Sequence, residues 1–345
     1  MATETARIAR SNSKPVKRHD GVFGGYNKLG SYDQAFDEMF DGQGSVRAPY
    51  KGIHSELAPS DASELEARAE ALGRAFIDQG ITFSLSGQER PFPLDLVPRV
   101  ISAAEWTRLE RGIRQRVQAL EMYLDDIYGE QEILRDGVIP RRLITSCEHF
   151  HREAVGIAPP NGVRIHVAGI DLIRDDQGNF RVLEDNLRSP SGVSYVMENR
   201  RTMARVFPNL FATHRVRAVG DYSSHLLRAL RNAAANNVAD PTVVVLTPGV
   251  YNSAYFEHTL LAGLMGVELV EGRDLVVRGD RVFMRTTEGE QLRRALESSK
   301  PWQSRHLGLK VHLDGNLGWR RRVVGDQLRQ DRPSATGQDG NQGCE

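Results

Sequence analysis

The strongest constraint on this chain is residues 164–195, which read as two strands meeting at a turn, with acidic residues gathered at one end. The first strand is Ile165 to Ile173 and the second Phe180 to Asn186, with Asp175, Asp176, Gln177 and Gly178 supplying turn residues. With Gln177-Gly178 as a two-residue loop, Asp176 faces Asn179, and counting outward puts Asp171 opposite Glu184. Side chains alternate along a strand, so Phe180, Val182, Glu184 and Asn186 share one face, and Asp171 shares it with them. A four-residue loop keeps Asp171 on that face; an odd-length loop turns it away.

Such a cluster has two readings. Acidic residues near a turn are commonly a solvated strand end. Against that, like charges repel and need a cation or a basic partner. Hard oxygen donors without nearby Cys or His suit Mg²⁺ or Mn²⁺ rather than zinc. The following run, Leu187 to Tyr195, adds Arg188, Ser189, Ser191, Gly192 and Ser194, all able to hold phosphate or carboxylate oxygens. On the residues alone, a metal–anion site is favoured over the solvated strand end.

Asp171, then Glu184-Asp185-Asn186, then Arg188-Ser189-Pro190-Ser191-Gly192-Val193-Ser194-Tyr195 resembles the magnesium hairpin of ATP-grasp enzymes. More narrowly it resembles the circularly permuted ATP-grasp type 2 proteins, relatives of glutathionylspermidine synthase. Gly80-Ile81-Thr82-Phe83, the run Pro93 to Arg99, and the run Pro248 to His258 support it in the family's order and spacing. The resemblance extends from about Tyr32 to about Glu290. It implies an enzyme that joins a carboxylate to an amine: ATP phosphorylates the carboxylate, and the amine attacks the acyl phosphate. By motif position it implies Asp171, Glu184 and Asn186 as ligands of the Mg²⁺ (or Mn²⁺) that accompanies ATP. Arg188 would steady the acyl phosphate, and Ser189 and Ser191 would hold the accepting carboxylate. The substrates implied are small-molecule or peptide carboxylates and amines.

The same resemblance contains a departure. In that family the lysine and glycine-rich loop covering the phosphates lie C-terminal to the Pro248–Ser253 unit. Here no lysine stands between Lys51 and Lys300, which also excludes a Walker-type loop across that span. The expectation is a C-terminally truncated member with impaired ligase activity. The alternative is a non-catalytic nucleotide- or metal-binding partner of a full-length homologue. A metal-dependent nuclease ranks lower, because such sites place lysine where Asn186 stands.

Charge agrees with that ranking. The 45 basic and 45 acidic residues cancel, so nothing draws the chain wholesale to nucleic acid or membrane. Cys147 and Cys344 make no disulfide framework, which fits a reducing cytoplasm. No apolar run approaches a membrane span, and the first residues lack the apolar stretch of a secretory signal. The remaining candidate protein partner is a homologue or a second copy.

The expected fold class is α/β or α+β: an ATP-grasp-like mixed sheet with a helical N-terminal layer and a C-terminal βαβ unit. Residues 1–30 read as a disordered, Gly-rich arm ending near Lys28, residues 31–236 as the permuted ATP-grasp portion, 237–290 as the βαβ unit, and 291–345 as a divergent, disordered tail. Aromatics at 32, 36 and 40 suggest a short helix. A helix over 61–79 carries Leu65, Ala69, Leu72 and Phe76 on one stripe, with Gly80 ending it. A longer one over 103–128 starts at a Ser102/Glu105 capping box, and its stripe from Trp106 to Ile127 reads as core. Residues 198–236 read as helical. Thr242 to Leu246, Ala254 to Met265 and Val267 to Glu271 give strand, helix and parallel strand. The intervening loop sits where open α/β sheets bind ligands, making Tyr251, Asn252 and Ser253 candidate substrate or nucleotide contacts. Helix capping by Asn252 or Ser253 explains them equally well. Asp280 reads as a hairpin turn. His149, His151 and His166 read as surface or supporting residues, and Cys147 as a small buried group.

Overall fold

A computed structural model describes residues 21–24, 26, 35–85, 88–188, 190–234, 240–278, 281–286 and 289–294. Most of the expected N-terminal arm, residues 32–34 of the short helix expected over 32–40, Ser189, the expected turn at Asp280 and the tail beyond 294 lie outside these residues.

Residues 35–47 form no helix, contrary to the aromatic spacing. The Asp37 carboxylate accepts hydrogen bonds from the Met39 and Phe40 amides at 2.9 and 2.8 Å, a local pairing that competes with helix formation. Phe40 instead bridges Val46. Helix α1, Lys51–Leu57, follows. Helix α2, Ala62–Asp78, is capped by the Asp61 side chain on the Glu64 amide. Gly80, at φ +67°, lets the Ile81 amide return to the Phe76 carbonyl at 2.8 Å and stops the helix. Strands β1, Thr82–Leu85, and β2, Gln88–Pro91, pair antiparallel.

Helix α3, Ala103–Tyr128, has the predicted capping box, and Gly129 follows its last residue. Its apolar stripe is not a sealed core. Only Ile127 is fully buried, Leu109 to Leu124 are half-covered, and Trp106 is 37% exposed. Polar partners explain this: Arg116 and Glu121 on the helix reach Asp185 and the 164–165 backbone respectively. Short helices α4, Glu132–Arg135, and α5, Arg141–Thr145, come next. Cys147 lies just beyond α5 and is exposed, not buried.

Strands β3, Gly169–Arg174, and β4, Phe180–Asn186, form an antiparallel hairpin. The expected 198–236 helix is three: α6 Val193–Val206, α7 Pro208–Thr213 and α8 Tyr222–Asn232. Pro208, which has no amide hydrogen to continue α6, opens α7 instead. The βαβ unit is present as β5 Val244–Leu246, α9 Tyr255–Met265 and β6 Glu268–Val270, with β5 and β6 parallel. Strands β7 Leu275–Arg278, β8 Arg281–Thr286 and β9 Gly289–Arg294 make an antiparallel sheet. Arg278 pairs with Arg281, and β9 runs past the expected boundary at 290.

The main core joins Leu57, Phe76, Ile81, Met203, Phe207 and Leu210. A second gathers Leu226, Leu230, Val245, Leu261 and Met265 around the βαβ unit. Helix α6 links the two, because Met203 belongs to the first while Val193 and Met197 pack on the second. Among the described residues no helix is long and apolar enough to cross a membrane.

Candidate functional site

The hairpin pairs Asp171 with Glu184, and Gly169 with Asn186. It reaches that register by a route the outward count did not contain. Arg174 pairs with Phe180, so the odd-length connection 175–179 replaces a two-residue loop. Asp175 organises the connection, accepting from the Gln177 and Asn179 amides at 3.1 and 2.7 Å. An odd connection alone would turn Asp171 away from Glu184. Leu172 pairs with Val182, however, while Asp171 pairs with Glu184, leaving Leu183 as the extra residue of a β-bulge. The bulge restores the pairing and changes the faces. Phe180 and Val182 lie on the half-buried side, whereas Asp171, Glu184 and Asn186 lie together on the exposed side. The expectation that all four β4 residues share Asp171's face is therefore corrected.

On the exposed face the Asn186 side-chain amide donates to Glu184 Oε1 at 3.0 Å. Neither Asp171 nor Glu184 has an ion pair among the described residues. Two carboxylates and an amide oxygen, hard donors, fit a hexacoordinate hard cation completed by water or phosphate. No three His, Cys, Asp or Glu side chains gather as a metal set among the described residues, His149 and His151 included.

The covered face is held by arginines. Arg174 donates to Glu38 and Glu105, both at 2.9 Å, and to the Gly178 carbonyl at 2.8 Å, while its guanidinium lies 4.0 Å from the centre of the Phe180 ring. Gly178 has φ +84°, and a Cβ there would stand 2.6 Å from the Phe36 ring, so both backbone and space require glycine. At the other end Arg116 of α3 grips Asp185 through two bonds at 2.7 and 2.6 Å and holds that carboxyl below its ordinary range. Glu121 accepts from the Arg164 and Ile165 amides at 2.5 and 2.8 Å, fixing the entry to β3. Burial keeps His166, beside it, below the usual imidazole range.

Past β4 the chain turns back over the hairpin. A Cβ on Gly169 would meet the Pro190 ring at 2.7 Å, so glycine there admits the return. Arg188 and Ser191 are exposed on this connection, and Ser189 lies outside the described residues. The connection ends on Glu257, whose Oε2 accepts from the Gly192 and Ser194 amides at 2.7 and 3.3 Å. Burial pushes the Glu257 carboxyl up, opposed by those two amides.

At the βαβ loop Tyr251 is 100% exposed, and Ser253 is exposed too. Asn252 Oδ1 accepts from the Ala254 amide at 2.9 Å, which is a turn-forming role. The sequence assigned no role to Asp185, Arg174, Glu121 or Glu257. Asp185 and Glu257 stood in the quoted motifs, and Glu257-His258 adds a signal of its own: two ionisable residues at the start of an otherwise apolar helix.

The family described as a circularly permuted ATPgrasp matches residues 98–296. Over 285 residues the chain is 84% identical to an uncharacterized protein of Mycobacterium tuberculosis (strain H37Rv), covering 83% of this chain and 52% of that protein. A Frankia casuarinae protein provisionally named glutamate–cysteine ligase 2-2 is 44% identical over 256 residues, covering 72% of this chain and 29% of that one. A solved glutathione synthetase-like effector of Globodera pallida, in its apo form, is similar at a TM-score of 0.44 and 11% identity, over 69% of this chain and 59% of that one. The chain spans about half or less of the length of these curated relatives.

Proposed function

Since this chain belongs to the circularly permuted ATP-grasp family, we propose that it serves an ATP- and Mg²⁺-dependent ligase joining a carboxylate to an amine through an acyl phosphate. The observation that carries the reading is the Asp171–Glu184 pair on the exposed hairpin face, with Asn186 beside it and no basic partner among the described residues. Asp171, Glu184 and Asn186 hold the cation, Mg²⁺ or Mn²⁺, and Asn186 orients Glu184. Bound there, the cation neutralises charge on the ATP phosphates during transfer. Arg188 has no acidic partner among the described residues and meets the acyl phosphate as it forms. Ser189 and Ser191 hold the accepting carboxylate. Tyr251 and Ser253 contact substrate from the βαβ side, and Asn252 shapes their loop. The substrates are a small-molecule or peptide carboxylate and amine; balanced charge favours them over nucleic acid or membrane, and sparse cysteine suits a reducing cytoplasm.

One observation favours a second reading. No lysine stands between residues 52 and 299, so this stretch supplies no lysine to cover the phosphates. On that reading the chain binds the metal–nucleotide pair with impaired transfer, as a partner of a longer homologue or of a second copy.

The test is calorimetric titration of Mg·ATP into wild type, Asp171→Ala and Glu184→Ala. Each substitution should weaken binding at least about tenfold, which is about 1.4 kcal/mol. Wild-type affinity in both variants, or folded wild type that binds no Mg·ATP, would sink the reading. ATP turnover with a carboxylate and an amine separates the ligase from the second reading.

A further inference from the structure

Glu257 belongs to the βαβ unit in sequence but is spent on the connection that follows the hairpin. It sits in the first turn of α9, 1% exposed. Its Oε2 accepts two amides at the start of α6, Gly192 and Ser194, so a carboxylate from one unit occupies the positive end of a 14-residue helix in another. Gly192, at φ +102°, is the N-cap and offers no side chain of its own for that purpose. The neighbouring His258, also buried, turns to Thr247: its Nδ1 lies 2.9 Å from the hydroxyl, which accepts from the Gly249 amide at 3.2 Å. Two adjacent residues of α9 thus fix both loops that carry candidate substrate contacts, 187–192 and 248–253.

Two anchors hold the first of these loops. Pro190 rests against Gly169 at the hairpin end, and Glu257 holds Gly192 two residues later. Between and before them stand Ser191 and Arg188, which have no side-chain hydrogen bond of their own among the described residues. Their placement therefore comes from the backbone. Removing the carboxylate leaves the half-buried Gly192 amide and the buried Ser194 amide without this acceptor at a helix end, and that end is where the connection is fixed.

We propose that Glu257 is a positioning residue for the hairpin site: it clamps the N-terminus of α6 and thereby sets Arg188 and Ser191 beside Asp171, Glu184 and Asn186. The inference rests on the metal–nucleotide reading of that site. It is specific to a hydrogen-bond acceptor at 257, not to a charge. Glutamine, whose side-chain oxygen accepts amides in the same way, should replace it; alanine should not.

Two measurements on wild type, Glu257→Ala and Glu257→Gln test it together. Amide exchange over 187–196 should be at least about tenfold faster in Glu257→Ala than in wild type, with β5 protection unchanged. Mg·ATP should bind about tenfold more weakly to the same variant, and Glu257→Gln should restore both. Should Glu257→Ala lose β5 protection and fail to fold, Glu257→Met keeps the volume without the acceptor and takes its place. Unchanged exchange over 187–196 overturns the clamp. Faster exchange with unchanged Mg·ATP affinity overturns the positioning role alone. Wild type that binds no Mg·ATP overturns the site reading itself, and a looser 187–196 in Glu257→Ala then marks a helix cap only.

Discussion

Replacing Arg174 with alanine should destabilise the chain by about 3–5 kcal/mol, the usual cost of stripping one partner from a buried ion network. Its side chain is 6% exposed and lies between Glu38 from the N-terminal segment and Glu105 from the first turn of α3. The same guanidinium holds the Gly178 carbonyl and lies over Phe180, so the variant strips Glu105 of its arginine and leaves Glu38 with Arg99 alone, at 3.0 Å. Arg174→Lys should fall between the two, because an ammonium cannot reach all three acceptors in a planar fork. Chemical denaturation measures the loss, and pH supplies the signature. Burial alone would raise the Glu105 pKa, but the Ser102 amide, the Arg174 guanidinium and the Ser102 hydroxyl outweigh it and hold it low. A depressed folded pKa stabilises above the unfolded value and is lost as pH falls through the folded one. The gap between wild type and variant should therefore be full near neutrality and narrow below about pH 4. A loss under about 1 kcal/mol, or a gap that ignores pH, would remove Arg174 from the centre of this packing.

How the hairpin acquires its register shows what the sequence can reveal. Pairing of Asp171 with Glu184 was legible because two carboxylates at that separation meet across any hairpin of suitable parity. The means were not legible. Nothing in Leu183 announces a bulge, and an exposed leucine reads as a core residue in any alternation count. The caps of α2 and α3 and the βαβ unit were legible for the opposite reason, since each rests on neighbours a few residues apart. The short helix expected around Phe36 failed on the same local scale, because Asp37 takes the amides that a helix would use. Glu257 and Arg174 act on residues 65 and 136 positions away, at Gly192 and Glu38, and no local pattern reports such partners. The residues singled out first are mostly exposed ones; the long-range partners that hold the surrounding backbone came only with the fold.

Phe76→Ala carries the second large effect, again about 3–5 kcal/mol, for a different reason. The ring is 1% exposed and packs in the core shared by Leu57, Ile81, Met203, Phe207 and Leu210. Its removal loses the burial of an aromatic side chain and leaves a void whose walls come from α1, α2, α6 and α7. Helices fixed at both ends by other contacts collapse into such a void only in part, which places the cost toward the upper end for a large side chain. The loss should also be uneven. The βαβ unit has its own core around Val245 and Leu261, joined to the first through α6. Amide exchange should therefore rise most in α1, α2 and α7 and least in β5 and β6. Exchange that rises equally everywhere would mean the two cores unfold as one unit, and α6 would then transmit strain between them. In that event Phe76→Ala should also weaken Mg·ATP binding, since the N-terminus of the same helix carries the connection with Arg188 and Ser191. Independent cores predict a destabilised protein whose nucleotide affinity, measured well below its unfolding midpoint, stays at the wild-type value.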